Sequence, residues 1–589
     1  MRFLLLLLTC IALFMGLFLA GLYGFTPYST MQAELTAANH AGWAAILPQP
    51  LPQLAHTAAR YALLRGIVAL AVGAAAVGLG CNRGSGRREA RRLGQDIGRA
   101  RQALGAYWRG LSGMEQGVAV AVLLLITTMR IWLWLHCAFN PDELVSSDYF
   151  VLPGPRVTAS FYTLPNNHIL YNLLSGPLQA LTPTGVGSDL LLRLPSLVLA
   201  LLATALTYAV LSRLTSFRAA TFALCLIQLT PLGVEYTVSA RGYGLQAACV
   251  HALFLAVLVL LRGPACHRLA WAVLVLASLA GFYLIPTFIY PFTSLGAALL
   301  VGLGLRRSGK GQAGVALVAG AGVLLLTALL YLPVGLLSGW TALLANPYVA
   351  RLSATHFWAE FGPYYLWTTI GTLLGNQRLT LPPLLLLLTV GPLLVRRWAP
   401  RHWPVAALAW AGVLGPLPLL MLQQVFAPAR TLHYVVLLVA LLAGLALEAL
   451  AQRLRLPDRT AGLVLLLGLS GYAAYRLPRL ALSLEPDRKY RAQAREAYQW
   501  IQQRQRQRVF TNSYGYHLYL RHLALAKRQQ PLLVQLPIPG QAVRAAEYEL
   551  LLLARGQPLP DWAARQPYRP VHAQDRLIIY QLEATPARR

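Results

Sequence analysis

Four short polar stretches in this sequence carry side chains that can take up a proton or grip an anion. The first is FNPDELVSSDYF, residues 139–150, directly after a long apolar run. Asp142 and Glu143 stand there at the edge of an apolar wall. A partly desolvated carboxylate is a stronger base than one in water, so it can take the proton of a hydroxyl nucleophile. The second is FYTLPNNHILYNLLSGPLQALTP, residues 161–183. Pro165, Asn166 and Asn167 suit a helix start. His168, Asn172, Ser175 and Gln179 then share one face, and leucines cover the rest, as in an amphipathic helix lying in a membrane interface. The third is VEYTVSARGYGLQ, residues 234–246, with Glu235, Arg241 and Tyr243. An arginine holds phosphate oxygens with two parallel donors and a permanent charge. A plain Glu235–Arg241 ion pair is the alternative. The fourth is FAPARTLHYVV, residues 426–436, where Arg430 and His433 are three apart. Arg430 is a second phosphate candidate, or an arginine that merely snorkels to the interface.

The elements that must position these stretches are membrane helices. The chain of 589 residues is 57% hydrophobic and 12% charged, yet 50 Lys and Arg against 20 Asp and Glu give it a net charge of +30. A soluble domain carries roughly 25% charged residues. Disorder is excluded by the wealth of large apolar side chains, and a disulfide scaffold by six cysteines in so long a chain. Thirteen apolar runs are long enough to cross a bilayer core of about 30 Å. They are roughly 3–22, 61–80, 117–136, 189–211, 218–235, 244–262, 269–285, 287–305, 313–333, 381–395, 404–422, 431–450 and 461–476. The run 381–395 must borrow from its flanks to span. The first run reads as an uncleaved span, with a cleaved signal peptide as the competing reading.

Basic residues then fix orientation. With Arg2 inside, every second loop is Lys/Arg-rich: 81–116 holds eight arginines, 306–312 holds Arg306, Arg307 and Lys310, and 451–460 holds Arg453, Arg455 and Arg459. The opposite loops are poor in basic residues. The positive-inside rule therefore predicts a cytoplasmic N-terminus and an extracytoplasmic tail from about 477. All four polar stretches face outward. Segment 82–112 reads as a basic cytoplasmic loop in contact with anionic headgroups. Segment 477–589, with eighteen basic and eight acidic residues, reads as a small α/β domain: AREAYQWIQQ and YHLYLRHLALA as helices, RVFTN, PLLVQL and RLIIYQL as strands. The aromatic-rich outer loop 334–380, including Trp340, Tyr348, Trp358 and Trp367, reads as an interfacial belt, with platforms for sugar rings or a lipid tail as the alternative. There is no Walker A, dinucleotide or HExxH motif, hence no sign of ATP or of a nicotinamide cofactor.

The order of the stretches is more specific than any one of them. A membrane helix, an outward DE segment, an NNH-bearing helix, RLPS at 193–196 opening the next span, and SARGY two spans later resemble the GT-C superfamily of membrane glycosyltransferases. Within it the chain is most similar to the family 39 type and its bacterial group with a dolichyl-phosphate-mannose-protein mannosyltransferase-like domain. The likeness covers residues 117 to about 476. It implies three parts: 1–116 with two additional spans and the basic loop, 117–476 as the catalytic core, and 477–589 as an extracytoplasmic appendage. It implies a location in the bacterial cytoplasmic membrane. It also implies transfer of a sugar from a polyprenyl-phosphate carrier to an acceptor hydroxyl on a glycan, lipid or protein, with inversion.

By that resemblance Asp142 takes the place of the catalytic acid, followed by Glu143. Asn167, His168, Asn172, Glu235 and Tyr243 are expected around the substrate, and Arg241, Arg430 and His433 around the lipid phosphate. PNNHILY replaces the Pro-Pro-Leu element of related sequences, so roles attached to that element do not carry over. No cofactor, metal or nucleic acid is expected, although Asp142, Glu143, Asp148 and His168 are of types that bind a divalent ion. The rival class is a multi-span transporter or lipid flippase, which favours broken helices at the midplane and inverted repeats. Polar residues gathered at one face argue for surface chemistry instead.

Overall fold

The computed structural model describes residues 1–40, 54–162, 166–181, 188–263, 266–306, 310–344, 350–527, 533–535 and 548–583. Pro165 and Tyr348 lie outside them. The chain is an α-helical multi-pass membrane protein with a small C-terminal α/β unit. Among the described residues, eleven helices are long and apolar enough to cross a membrane: Arg2–Tyr23, Ala58–Cys81, Gly113–His136, Asp189–Leu214, Tyr243–Arg262, His267–Leu284, Pro286–Gly304, Gly311–Leu344, Arg378–Trp398, Pro400–Gln423 and Val435–Arg453. Tyr243–Arg262, His267–Leu284 and Val435–Arg453 are the most enclosed. Several of the others present leucines to their surroundings, among them Leu70, Leu124, Leu206 and Leu386.

Two of the thirteen expected spans take other forms. The run 218–235 is a 12-residue helix, Phe217–Gln228, followed by the short helix Pro231–Glu235. Pro231 has no N–H and its ring crowds the preceding turn, and here the helix breaks before it. The break is sealed by protein. The Thr230 hydroxyl donates to the Ile227 carbonyl at 2.8 Å, and Arg130 donates to the Gln228 side chain at 2.5 Å. Non-helical backbone at membrane depth needs such partners. Gly444 lets this short helix pack closely on Val435–Arg453, since a Cβ there would stand 2.9 Å from the Ala219 carbonyl oxygen.

The run 461–476 is the first part of a single helix of 46 residues, Asp458–Gln503. At 1.5 Å per residue it is about 70 Å long, enough to cross a bilayer of about 30 Å and project well beyond it.

Segment 82–112, expected as a loop, is a 28-residue helix, Arg83–Gly110. Its six glycines weaken helix propensity, but its two acids, seven residues apart, anchor one face. Asp96 accepts the backbone N–H of Arg268 at 2.9 Å and of Leu269 at 3.3 Å, capping His267–Leu284. Glu89 pairs with Arg268 at 2.6 Å. This basic helix and the polar stretches thus occupy opposite ends of the bundle, because Gly113–His136 runs from one to the other.

Among the described residues, the C-terminal unit holds one sheet of five strands: β1 (Arg508–Thr511), β2 (Leu533–Gln535), β3 (Leu550–Ala554), β4 (Tyr568–Ala573) and β5 (Leu577–Leu582). The order is β2-β1-β3-β5-β4, parallel among the first three and antiparallel from β3 to β5 to β4. Helix Tyr514–Lys527 connects β1 to β2 and packs against the membrane part beside residues 141–145.

Candidate active site

The segment after Gly113–His136 is helical rather than a loop. Asn140 caps helix Pro141–Val145 in a capping box: its side chain accepts the Glu143 N–H at 2.9 Å, and Glu143 accepts the Asn140 N–H at 2.9 Å. Pro141 sits where a missing N–H is harmless. A π-helical turn, Ser146–Val151, follows. Successive helical residues point about 100° apart, so the two carboxylates have opposite fates. The Asp142 side chain is 42% exposed and that of Glu143 is 1% exposed.

Glu143 is bound on all sides. Arg193 grips it with two bonds, Nε to Oε1 at 2.7 Å and Nη2 to Oε2 at 2.6 Å. The Ala240 N–H adds a bond of 2.5 Å. Arg193 also donates to the carbonyls of Cys137 and Ala138, each at 2.7 Å, and its guanidinium lies 4.5 Å over the Phe139 ring. This buried, fully satisfied pair ties together the start of the Asp142 helix, the span at RLPS and the loop before Arg241.

Asp142 meets two guanidiniums. Its Oδ2 lies 3.2 Å from Arg430 Nη1 and 3.4 Å from Arg241 Nη2. Arg241 is fully buried and also donates to the Asp142 carbonyl at 3.0 Å and to the Asn166 side chain. Asn166 in turn donates to the Asp142 carbonyl at 3.1 Å. Arg241 therefore turns to Asp142 rather than to Glu235. Burial acts to lower the Arg241 pKa, but Asp142 and Tyr243 outweigh it and keep the guanidinium charged. Both arginines flank the Tyr243 ring, at 5.4 Å and 5.7 Å.

His168 lies edge-on to the Tyr243 ring at 4.7 Å. It is buried, and neither ring nitrogen has a hydrogen-bond partner. Burial first, then the charges of Arg241 and Arg430, hold its pKa well below the usual histidine range. It is a neutral imidazole, with one N–H and one lone pair unused. Gly242 is obligatory beside it, since a Cβ there would stand 2.8 Å from His168 Nδ1. His433 packs on Tyr236 at 5.5 Å, with Nδ1 3.1 Å from the Arg430 carbonyl oxygen, and burial lowers its pKa to about 4. Glu235 ends helix Pro231–Glu235 next to Tyr236, half-buried.

Asn167 and Asn172 are inward pins. Asn167 donates to the Thr158 and Phe161 carbonyls, each at 2.8 Å, and Asn172 donates to Asn167 at 2.9 Å. Helix Ile169–Ala180 begins after His168, not at the asparagines, and buries Asn172 and Ser175 while Leu174 faces out. Asp142, Tyr243, Arg241, Arg430, His168 and His433 thus converge, and Asn167 and Asn172 stand behind them. Arg193, Asn166 and Ser146 belong to the same constellation without having been singled out by sequence reasoning. The arginine of RLPS was the available signal for the first. Asp148, considered above as an ion ligand, faces His522 instead, at 2.8 Å. Among the described residues, no three His, Cys, Asp or Glu side chains converge as metal ligands do.

No protein-family model matches the sequence, and no curated protein matches it. Several solved structures are similar in fold. ArnT from Cupriavidus metallidurans in the apo state shares 14% identity over 78% of this chain and 96% of its own, with a TM-score of 0.48. The same protein bound to undecaprenyl phosphate shares 16% over 79% and 97%, with a TM-score of 0.46. The archaeal oligosaccharyltransferase AglB from Archaeoglobus fulgidus, in complex with an inhibitory peptide and a dolichol-phosphate, shares 10% over 75% and 70%, with a TM-score of 0.44. These structural neighbours are GT-C glycosyltransferases.

Proposed function

We propose that this protein is a polyprenyl-phosphate-dependent glycosyltransferase of the GT-C, family 39-like type. It acts at the outer face of a bacterial cytoplasmic membrane, with its N-terminus inside and its C-terminal domain outside. The observation that carries this reading is the exposed Asp142 carboxylate held between two guanidiniums, one buried and one half-exposed, at the end of the bundle away from the basic helix.

The chemistry follows from charge. Without donor, Asp142 is the counter-ion of both Arg241 and Arg430. The phosphate of a polyprenyl-phosphate sugar brings its own negative charge and takes over Arg430, the more exposed of the two. Asp142 is released as the phosphate is bound. An acceptor hydroxyl attacks the anomeric carbon, its proton passes to Asp142, and a new carbon–oxygen bond forms. The bond from the anomeric carbon to the phosphate oxygen breaks, and the electron pair stays on the polyprenyl phosphate, whose charge the arginines stabilise. Configuration inverts. His168, whose ring nitrogens are unpartnered, lines the sugar, held in place by the Tyr243 ring. Glu143 positions Asp142 rather than moving a proton, because every lone pair of its carboxylate is engaged. Polar groups gathered at one end favour this reading over transport.

The test uses purified full-length protein with radiolabelled undecaprenyl-phosphate sugars and envelope acceptors. Asp142→Asn lowers turnover by about a hundredfold or more, in the range typical of a lost general base, with unchanged yield in the membrane. Arg430→Ala chiefly raises the KM for the donor. Wild-type turnover in Asp142→Asn would remove the proposed base.

A further inference from the structure

The C-terminal domain is seated on the segment that carries Asp142. Helix Tyr514–Lys527 lies across residues 139–149 and touches them at several points. The Tyr519 hydroxyl donates to the Phe139 carbonyl. The Arg521 guanidinium lies 4.5 Å over the Tyr149 ring. Between these, the His522 ring is held at both nitrogens: Nδ1 is 2.8 Å from Asp148 Oδ1, and Nε2 is 3.2 Å from Asp189 Oδ1. Asp148 belongs to the π-turn directly after the Asp142 helix, and Asp189 opens the span that carries Arg193. Arg491, on the 46-residue helix, pairs with the other oxygen of Asp189. His522 and both carboxylates are buried. Two carboxylates and one Arg491 guanidinium leave room for one more positive charge, and a protonated imidazole donating from both nitrogens supplies it.

We propose that His522 is a positioning residue for the transfer reaction: as an imidazolium between Asp148 and Asp189, it fastens the C-terminal domain to the Asp142 segment and sets where the Asp142 carboxylate stands over Arg241 and Arg430. The statement rests on the function proposed above as far as activity is concerned. The fastening itself does not. The segment is then held from two sides, by Glu143 and Arg193 within the membrane part and by His522 from the domain.

The two charged groups in direct contact with the His522 ring are both negative. Asp148 and Asp189 lie across its two nitrogens, Arg491 lies beyond Asp189, Arg193 is engaged by Glu143, and Arg521 on its own helix turns to Tyr149. Burial alone would lower the His522 pKa, but Asp148 and Asp189 outweigh it and raise the pKa from 6.5 to about 10. Raised relative to the unfolded chain, this group contributes fully below pH 6.5. The contribution is lost as pH rises through about 10.

Hydrogen–deuterium exchange and steady-state kinetics on the full-length protein in lipid nanodiscs test this. In His522→Gln, residues 141–151 exchange faster while the span Tyr243–Arg262 keeps its protection. With undecaprenyl-phosphate sugar as donor, kcat falls by up to about a hundredfold, as expected for a displaced catalytic group, while the donor KM is nearly unchanged. Wild-type kcat shows a descending limb near pH 10 that His522→Gln lacks. Should His522→Gln fail to fold, Asp189→Asn keeps the imidazole and is measured in the same way. Unchanged exchange of 141–151 in the folded variant overturns the proposal, as does a fall in kcat matched by equal loss of protection throughout the membrane helices. A wild-type protein that transfers no sugar at all bears on the proposed function only, and the exchange result then decides the clamp by itself.

Discussion

Asp142 and Glu143 are chemically near-identical neighbours that the fold separates into a surface group and a buried one. The capping box does this, because the residue two positions after Pro141 must turn back to the Asn140 N–H. The burial has a measurable consequence. Arg193→Ala strands the Glu143 carboxylate without its main counter-ion, and breaking such a buried pair costs about 3–5 kcal/mol. We expect a lowered midpoint of thermal unfolding in detergent, together with lost activity. Replacing both residues with leucine should restore much of the stability but not the activity. Stability in Arg193→Ala equal to wild type would mean the pair carries no such weight. At this scale the sequence was informative about chemistry and poor about partnership. An acid, an arginine and a histidine at an apolar edge are recognisable by type. That Arg241 would choose Asp142 over Glu235, six residues away, depends on a chain reversal that local spacing does not encode. His522 was hidden for the same reason, since both its partners lie more than 300 residues away.

Among the elements, the long apolar runs were legible because a span must be apolar over its whole length, whatever it packs against. The departures occur where a neighbour overrides that rule. Pro231 ends a helix that hydropathy alone would continue. Six glycines disguised Arg83–Gly110, whose stability comes from Asp96 and Glu89 docking on Arg268 and not from propensity. Strand β3, LLLLA, was missed because leucine favours helix, whereas burial between β1 and β5 decides the outcome. The basic helix allows a direct check. Asp96→Ala removes the cap of His267–Leu284, and a lost cap is worth about 1 kcal/mol. The expected result is faster amide exchange at residues 267–270 with the outer site unperturbed. Exchange there identical to wild type would show that Asp96 does not cap the helix in solution.

The whole molecule has two unlike ends. One carries the amphipathic basic helix, the other the convergent polar site with the sheet domain seated beside it, and the helix Asp458–Gln503 runs from the bundle to that domain. The boundary expected at 477 falls within this unbroken helix, so domain and bundle are joined by a rod and not by a hinge. Topology is checked by fusing a reporter after residue 490, where an enzyme active only outside the cytoplasm should be active. A reporter active only inside would reverse the placement of the site.

The contact between Asp148 and His522 joins residues 374 positions apart. On the ribosome, at roughly 5–20 residues per second, the early carboxylate waits on the order of tens of seconds for its partner. Among the described residues, eight of the eleven membrane helices are made in that interval, and the bridge cannot close before them. The bridge therefore closes late in the biogenesis of the chain, after Arg241 and Arg430 have both been made.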